Sequence, residues 1–230
     1  MKFNRDSNAY TITYASVMVI LVAVALAFTS QSLKESQKAN VEVDKMTQIL
    51  RAVNVSATAD DAKEKYNEII KAAYLVNADG SKAEGDAFTA DIAKASKADG
   101  APMPVFEATV DGQTKYICAL YGAGLWGPIW GYIALNEDGN TVFGTDLGHQ
   151  GETPGLGAEI ATPMFMEQFK DKEIFKGGDF KSIAIVKPGK SAAGQDYVDG
   201  ISGGTITSQG VDVMIKASLE RYVKFLSTKK

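Results

Sequence analysis

An apolar segment near the start of the chain is the strongest pattern in the sequence. No charged residue occurs between Asp6 and Lys34, and the stretch from Ile12 to Phe28 is almost continuously apolar. A run of this length exceeds the roughly 18 residues expected of a membrane-spanning helix. The pattern therefore predicts a transmembrane anchor at residues 11–33, preceded by a short N-terminus of residues 1–10.

The charges that flank this segment predict its orientation. Lys2 and Arg5 precede it, so the positive-inside rule favours a cytoplasmic N-terminus, although two lysines on the other flank oppose this bias. Residues 34–230 are then expected on the periplasmic side of the inner membrane. The basic start and the Ala25-Leu26-Ala27 sequence are also typical of a cleaved signal peptide, which remains an alternative.

Two helical patterns follow the apolar segment. Charged and apolar residues alternate at helical spacing from Leu33 to Val53, and a second helical segment extends from Asp60 to Leu75. Thr58, with Asp61 three residues later, is the expected N-cap of the second helix. The polar stretch from Ser81 to Gly100 is expected to form a surface excursion with a short helix.

Two β-hairpins are predicted in the middle of the chain. Val105–Val110 and Lys115–Tyr121 flank an Asp-Gly turn, and Tyr132–Leu135 is followed by a turn and Thr141–Phe143. Neighbouring hairpins predict an antiparallel sheet. With helical segments on either side, the predicted fold class is α+β.

The last third of the chain predicts three further elements. Thr162-Pro163 is typical of a helix N-cap followed by proline at the first helical position. Phe180–Lys187 is expected to be a strand, and the C-terminal segment a helix. Its apolar residues at helical spacing are Val211, Ile215, Leu219, Tyr222 and Leu226.

Composition and charge exclude several classes of function. The 230 residues, 45% of them hydrophobic, suffice for one domain and an anchor. A net charge of −4 without a basic cluster argues against nucleic-acid binding. The single cysteine, Cys118, lies in an apolar run and is predicted to be buried, and the single histidine is His149. This excludes a disulfide, a cysteine-based metal or iron–sulfur site and a histidine-based metal site, so redox chemistry would require a bound organic cofactor.

Two glycine-rich stretches are candidate binding loops. Gly122–Gly131 contains both tryptophans, Trp126 and Trp130; such density is typical of core packing, and a ligand-contacting role is the alternative. Gly148–Glu159 contains glycines that permit close backbone approach to a planar ligand. Its Glu152 and Thr153 offer an acceptor and a hydroxyl to such a ligand.

A third candidate is the run from Asp199 to Thr207. Its Ser-Gly-Gly-Thr sequence is typical of a turn. Thr205, however, lies near the start of the C-terminal helical pattern, and helix N-termini stabilise phosphate through their backbone N–H groups and dipole. Thr205 is therefore a plausible attachment point for a phosphate-bearing group. Lys187 or Lys190 could meet that phosphate, and a solvated lysine is the alternative at both positions.

These residues resemble the flavinylation motif Asp-x-x-Ser-Gly-Ala-Thr of the FMN-binding subunits of the sodium-translocating NADH:quinone reductase (Nqr) and of the Rnf complex. Asp199, Ser202 and Thr205 match the motif, and Gly204 replaces its alanine. The resemblance implies that a separate flavin transferase joins FMN through its phosphate to Thr205. Ser202, Gly203, Gly204 and Thr207 are then expected around the cofactor. Thr207 is the rival acceptor, against which the family pattern argues.

A second resemblance concerns the flavin ring. The sequence of residues 151–159, Gly-Glu-Thr-Pro-Gly-Leu-Gly-Ala-Glu, is similar to the loop that contacts the isoalloxazine in the FMN-binding domain family of NqrC and RnfG. It implies cofactor contacts from Glu152, Thr153, Gly155, Leu156 and Gly157, with Trp126 and Lys187 as further candidates. No metal site and no residue with independent catalytic activity is expected.

The function implied by the resemblance is that of an electron-transfer subunit. It would carry covalent FMN and pass electrons toward quinone in a membrane complex that couples NADH oxidation to Na⁺ export, with the other Nqr subunits as partners. The segment 124–132 is closer to the NqrC branch of the family than to the RnfG branch. An RnfG-type protein, which would exchange electrons with ferredoxin, and a periplasmic binding module without redox chemistry are the alternatives.

Overall fold

The computed structural model describes residues 7–229, and the chain divides into two compact units, residues 1–44 and 45–230. Lys2 and Arg5, which carry the predicted orientation of the anchor, lie outside the described residues. A continuous helix of 45 residues, α1 (Asn8–Ala52), begins in the first unit and ends in the second. The helix predicted from Leu33 to Val53 is confirmed as the second half of α1.

Within the described residues, α1 is the helix that is long and apolar enough to cross a membrane, by length and composition. Its most apolar window has a mean hydropathy of 2.3, and none of this window is buried inside the protein. An apolar helix surface without a protein covering is what contact with lipid requires. The last turns of α1 differ, because Ile49, Leu50 and Ala52 are buried in the second unit.

The second predicted helix is shorter than expected. Helix α2 (Ala62–Ile69) ends where strand β1 (Ile70–Val76) begins, so the helix predicted to extend to Leu75 is wrong beyond Ile69. Pairing of β1 with strand β3 (Met103–Val110) buries its apolar end and overrides the helical pattern. Asp61 is the N-cap, and its carboxylate accepts the Thr58 N–H at 2.6 Å.

The surface excursion after β1 is present as predicted. It contains the two-residue strand β2 (Lys82–Ala83) and the short helix α3 (Ile92–Ala95).

Both predicted hairpins are present, with longer strands. β3 is followed by β4 (Gln113–Ala123), β5 (Pro128–Leu135) and β6 (Val142–His149). They complete a six-stranded sheet of order β2-β1-β3-β4-β5-β6 in which every neighbouring pair is antiparallel. At the β3–β4 turn, Asp111 and Gly112 have φ of 51° and 76°, the left-handed backbone that a two-residue hairpin requires. The α+β class is confirmed.

The sheet is buried on both faces. Alternate residues of a strand point to opposite faces, so Val105, Cys118 and Ile133 join one apolar cluster, whereas Phe106, Ile117 and Tyr132 join another. The first cluster also contains the C-terminal helices, and the second contains the end of α1. Cys118 is buried as predicted, and burial raises the pKa of its thiol.

The chain from β6 to the C-terminus is made of short elements and one longer helix. In order, the elements are a 3₁₀ turn (Gly157–Ala161), α4 (Pro163–Met166), a second 3₁₀ turn (Glu167–Phe169), β7 (Phe175–Lys176), β8 (Asp179–Phe180), β9 (Ile183–Val186), β10 (Asp196–Asp199), α5 (Thr205–Glu220) and α6 (Val223–Ser227). Helix α4 has the predicted proline at its start.

The strand predicted from Phe180 to Lys187 is interrupted. Ser182 has a left-handed backbone, with φ of 65°, which separates β8 from β9. Strand β9 pairs instead with β10, in parallel, in a small separate sheet.

Helix α5 lies unusually close to the sheet. A Cβ atom at Gly122 of β4 would lie 2.6 Å from the Met214 Cβ, and one at Gly210 of α5 would lie 2.3 Å from the Ala123 carbonyl oxygen. Glycine at both positions lets helix and strand backbones approach. Several glycines of the Gly122–Gly131 stretch thus serve internal packing, and only residues 124–127 form the turn between β4 and β5.

Tyr222, between α5 and α6, fastens the C-terminal helices to the sheet. Its buried hydroxyl accepts the Ala119 N–H at 3.1 Å and donates to the Pro104 carbonyl at 2.9 Å. We expect Tyr222→Phe to lower the free energy of unfolding by about 1–3 kcal/mol, because it leaves two buried backbone groups without a partner. Guanidinium denaturation of the full chain in detergent measures the loss.

Tyr197→Phe is the matched control, because Tyr197 is exposed on β10. It should unfold like the wild type. Equal stability of the Tyr222 and Tyr197 variants would contradict the role given to the Tyr222 hydroxyl.

Candidate functional site

Thr205 is the first residue of α5 and its side chain is exposed. The predicted helix start is confirmed, and the buried face of α5 includes Val211, Ile215 and Leu219. The N-cap is Gly204, which has no side chain to cap the helix, and the first turn carries no acidic residue. The first N–H groups of an α-helix lack intrahelical partners, so this end of α5 is suited to an anionic group.

The loop before Thr205 is held by its backbone. The Gly200 N–H donates to the Val186 carbonyl at 2.7 Å, and the Ile201 N–H donates to the Ser208 hydroxyl at 2.8 Å. Gly203 has φ of 78°, a conformation that side chains rarely adopt. The loop is therefore fixed to β9 and to α5, while Ser202 and Gly203 remain exposed.

A cleft of about 380 Å³ opens on one side of Thr205. It lies between the β4–β5 turn, the loop after β6 and the first turn of α5, and we call it the apolar cleft. Four apolar side chains that line it are open to solvent: Trp126 is 69%, Ile206 56%, Leu125 47% and Leu156 42% exposed. Its volume is within the range of roughly 300–1,000 Å³ typical of ligand pockets.

A second cleft, of about 320 Å³, opens on the β9 side of Thr205, and we call it the polar cleft. Lys187, Ser202 and Gln209 line it together with Gly203 and Thr205. Thr205 and Gly203 also line the apolar cleft. The exposed threonine thus lies at the junction of two cavities of different character.

Glu152 lies in the wall of the apolar cleft and is only 5% exposed. Its Oε1 accepts the Trp126 N–H at 2.8 Å, and its Oε2 accepts the Thr207 hydroxyl at 2.6 Å. The Glu152 N–H donates to Nδ1 of His149 at 3.2 Å. Burial opposes the charged carboxylate, but the hydrogen bonds from Thr207 and the backbone outweigh it and hold the pKa of Glu152 below its usual value.

The two threonines at the start of α5 have different environments. Thr205 is exposed, whereas Thr207 is 2% exposed and its hydroxyl is engaged by Glu152.

Two glycines make room for the Glu152 carboxylate. A Cβ at Gly157 would lie 2.3 Å from its Oε2 and 2.5 Å from the Thr207 Oγ1, and a Cβ at Gly124 would lie 2.5 Å from its Oε1. The close approach expected at Gly157 is therefore made to the protein's own side chains. Gly155 has φ of 75° and open space around it, so its role is to shape the turn.

The sequence-predicted residues fall into three groups. The apolar cleft brings together Trp126, Glu152, Thr153, Leu156, Gly157, Gly203, Gly204, Thr205 and Thr207. Lys187 and Ser202 line the polar cleft. Gly155 lines neither of the two clefts.

The expected core packing of both tryptophans is wrong for Trp126. Its indole is largely exposed, whereas Trp130 is half-buried and donates from Nε1 to Gln48 at 3.2 Å. The sequence interpretation also missed Leu125 and Ile206, which line the apolar cleft. Ile206 could have been identified from the sequence, because it is an apolar residue outside the buried stripe of α5.

The described part of the chain contains no group of three His, Cys, Asp or Glu residues able to hold a metal ion. The apolar cleft with its exposed indole, beside a hydroxyl at a helix N-terminus, fits a planar ligand that carries a phosphate.

Comparison with known proteins agrees with this chemistry. The FMN-binding domain family matches residues 124–220, the segment that contains both clefts and all of α5. The fold and the site thus define an FMN-binding domain preceded by a long apolar helix.

Relatives and solved structures identify the family. The NqrC subunit of the Na(+)-translocating NADH-quinone reductase from Haemophilus ducreyi is 32% identical over 234 residues, covering 94% of this chain and 91% of the relative. Its counterpart from Vibrio alginolyticus is 30% identical over 230 residues, covering 92% and 90%. The crystal structure of the counterpart from Parabacteroides distasonis matches with a TM-score of 0.82 and 61% identity, covering 84% of this chain and 96% of that one.

The crystal structure of Shewanella oneidensis NqrC matches with a TM-score of 0.70 and 26% identity, covering 83% of this chain and 98% of that one. The chain belongs to the NqrC family of Na(+)-translocating NADH-quinone reductase subunits.

The packing of Gly157 against Glu152 and Thr207 predicts a specific sensitivity. Gly157→Ala places a methyl group at 2.3 Å from the carboxylate, so the Glu152–Thr207 hydrogen bond should break and the loop shift, at a cost of about 1–3 kcal/mol. Thermal unfolding and hydrogen exchange of residues 150–157 measure the effect.

Gly151→Ala is the control, because a Cβ at Gly151 meets no atom within 4 Å and its φ is not positive. It should leave stability and exchange unchanged. If Gly157→Ala behaves like Gly151→Ala, the packing described for this loop is incorrect.

Proposed function

We propose that this chain is the electron-transfer subunit of a sodium-pumping NADH:quinone reductase and carries FMN esterified through its phosphate to Oγ1 of Thr205. The observation that carries the proposal is the position of Thr205, an exposed hydroxyl at the first residue of α5 between the apolar and the polar clefts. Membership of the NqrC family and the match to the FMN-binding domain support the choice of cofactor.

The proposed position of the FMN phosphate is based on the start of α5 and on the polar cleft. A phosphate on Thr205 would lie at a helix N-terminus, where backbone N–H groups and the helix dipole favour negative charge. Lys187 and the Ser202 hydroxyl line the adjoining cleft and offer a cation and a donor. The exposed lysine contributes modestly, because water screens surface charges.

The proposed position of the flavin ring is based on the apolar cleft. FMN supplies the redox chemistry when bound, and this chain positions the ring and shields it from water. The exposed faces of Trp126, Leu156 and Ile206 offer the apolar surface that an aromatic ring system covers. The Thr153 side chain is exposed at the same cleft and offers a hydroxyl to the polar edge of the ring.

Attachment requires a partner. The single histidine of the chain, His149, accepts the Glu152 N–H through Nδ1 and is thus engaged elsewhere. A separate flavin transferase is the proposed agent of ester formation, in keeping with the match of Asp199, Ser202 and Thr205 to the flavinylation motif. Oγ1 would attack the flavin-side phosphorus of a flavin dinucleotide, and the pyrophosphate P–O bond would break as the new P–O bond forms. The nucleoside monophosphate would leave, and the transferase would take the hydroxyl proton.

The apolar helix supplies the membrane attachment in this proposal. Residues 11–33 form the single transmembrane anchor, the N-terminus is cytoplasmic, and residues 34–230 lie in the periplasm beside the other subunits of the complex. The span contains no Asp, Glu, Lys, Arg or His, the residues that mark ion paths through bilayers. We therefore place the Na⁺ path in another part of the complex, and the role proposed for this chain is to relay electrons toward quinone.

We expect Thr205→Ala to abolish in-gel flavin fluorescence after denaturing electrophoresis, because a phosphoester survives detergent whereas stacking and hydrogen bonds do not. Thr207→Ser is the matched control and should retain full fluorescence, since it keeps the hydroxyl that donates a hydrogen bond to Glu152. Both variants are to be made in a host that contains the flavin transferase. Fluorescence that persists in the Thr205 variant would exclude this residue as the acceptor.

A flavin-free protein from the native host would instead favour a binding module without redox chemistry. Wild-type protein from a host that lacks the transferase should be colourless, which serves as the second control.

The anchor is expected to be dispensable for flavin attachment. Replacing residues 1–33 with a cleavable export signal should yield a water-soluble periplasmic protein that still acquires flavin, provided the transferase acts in the same compartment. Ile49 and Leu50, which are buried in the second unit, are retained in this variant. Export of folded protein without flavin would show that the anchor or the assembled complex is needed for recognition.

A further inference from the structure

We propose that Glu152 and Thr207 are positioning residues that hold the wall of the apolar cleft against the helix carrying Thr205, and that they act on the flavin through this geometry and through the charge of Glu152. The proposal rests on the function proposed above, because it concerns how the cleft beside Thr205 is built. It also changes the sequence interpretation, which gave both residues as cofactor contacts.

Both side chains already have hydrogen-bond partners within the protein. Glu152 is 5% exposed and Thr207 2% exposed, so little of either is accessible to a ligand. Each carboxylate oxygen of Glu152 accepts a hydrogen bond from the protein, from the Trp126 N–H and from the Thr207 hydroxyl. Buried polar side chains whose hydrogen bonds are satisfied within the protein form part of the wall of a binding site and need no contact with the ligand.

Glu152 joins three separate segments of the chain. It contacts the β4–β5 turn through Trp126, its own loop through the bond from its N–H to His149, and the first turn of α5 through Thr207. The Trp126 indole is largely exposed, so its place depends on the backbone of the turn more than on packing. Loss of the hydrogen bond from the Trp126 N–H to Glu152 would therefore alter the position of the indole relative to Thr205.

The Glu152 carboxylate lies where two glycines leave room for it. Gly124 faces its Oε1 and Gly157 faces its Oε2, each so closely that a Cβ would lie within 2.5 Å of the oxygen. The absence of side chains at these two positions lets the carboxylate lie between the turn and the loop, where the Thr207 hydroxyl donates to it.

The charge of Glu152 can be separated from its geometry. The carboxylate is ionised at neutral pH, because its hydrogen bonds lower its pKa. A negative charge beside the cleft opposes the addition of electrons to a bound ring, and the interaction is stronger there than in bulk water. Glu152→Gln removes the charge and keeps the shape, since the amide oxygen can accept from Trp126 while the amide N–H donates to Thr207.

Thr207→Val makes the complementary change. It keeps the shape of the side chain and the charge of Glu152 but removes the hydroxyl that joins α5 to the loop. Thr207→Ser returns the hydroxyl and is the conservative variant that should rescue the wild-type properties.

The experiment compares the full chain and these three variants in detergent, each made with and without the flavin transferase. In the flavin-loaded proteins, covalent flavin is measured by mass, the midpoint potential by redox titration, and the ring environment by visible circular dichroism. In the flavin-free proteins, hydrogen exchange is measured for peptides that cover residues 124–127, 150–157 and 205–208. This last measurement does not depend on the cofactor.

We expect all three variants to carry covalent flavin at the wild-type level. Glu152→Gln should raise the midpoint potential and leave hydrogen exchange near that of the wild type. Thr207→Val should speed exchange of residues 150–157 and 205–208 roughly two- to tenfold, as loss of one hydrogen bond implies, and should change the visible dichroism. Thr207→Ser should match the wild type in every measurement.

The outcomes separate this proposal from the one on which it rests. A wild-type chain without covalent flavin, made with the transferase, would overturn the proposed function. A flavin-loaded wild type whose Glu152→Gln variant keeps the same potential, and whose Thr207→Val variant keeps the same dichroism and exchange, would overturn the positioning role alone.

Loss of covalent flavin from a folded Glu152→Gln variant would also overturn the positioning role, by assigning Glu152 to recognition by the transferase. If Thr207→Val does not fold, the potential of Glu152→Gln and its hydrogen exchange decide the question.

Discussion

Close contact between α5 and the centre of the sheet determines where the site residues lie. Gly122 and Gly210 let the helix approach β4 to a distance that any side chain would prevent, and the Tyr222 hydroxyl fastens the far end to β3 and β4. The position of α5 along the sheet is fixed by these contacts. Its first turn consequently lies beside the β4–β5 turn and the loop after β6, which are the segments that form the apolar cleft.

The same helix explains why two threonines separated by a single residue have opposite environments. Residues advance about 100° around an α-helix at each step, so Thr205 and Thr207 point in directions about 200° apart. The buried face of α5 includes Thr207, Ser208 and Val211, and Thr205 therefore faces outward. The threonine that the family motif selects is also the threonine that helix geometry leaves accessible.

Periodicity predicted much of this fold because long-range pairing and local preference agree in most of the chain. The hairpin from β3 to β4, the start of α5 and the burial of Cys118 all follow from alternation, turn residues and apolar spacing. Agreement fails at Ile70–Val76, where a helical pattern continues into residues that pair with β3. No local signal marks that switch, because the partner strand lies about thirty residues later in the chain.

The sequence predicted which residues line the clefts better than it predicted whether their side chains are buried or already hydrogen-bonded. Most of the residues that the sequence selected do line the two clefts. The resemblance to the flavinylation motif and to the ring-contacting loop selected them, because glycine runs taken alone are typical of turns. The burial of Trp126 depends on what covers the β4–β5 turn. The capacity of Glu152 to accept a further hydrogen bond depends on Thr207, which lies 55 residues away in the sequence. Both are properties of the folded chain and leave no trace in the spacing of residues.

The exposure of Trp126, Leu156 and Ile206 has a consequence for maturation of the protein. Large apolar side chains that share one concave surface expose to water an area that monomeric proteins usually cover. With a flavin ring in the apolar cleft, the cofactor itself becomes part of the outer surface of the domain. If FMN binds as proposed, the flavin-free chain is a precursor, and a partner protein that docks at the apolar cleft would contact the ring in the loaded chain and bare apolar side chains in the empty one.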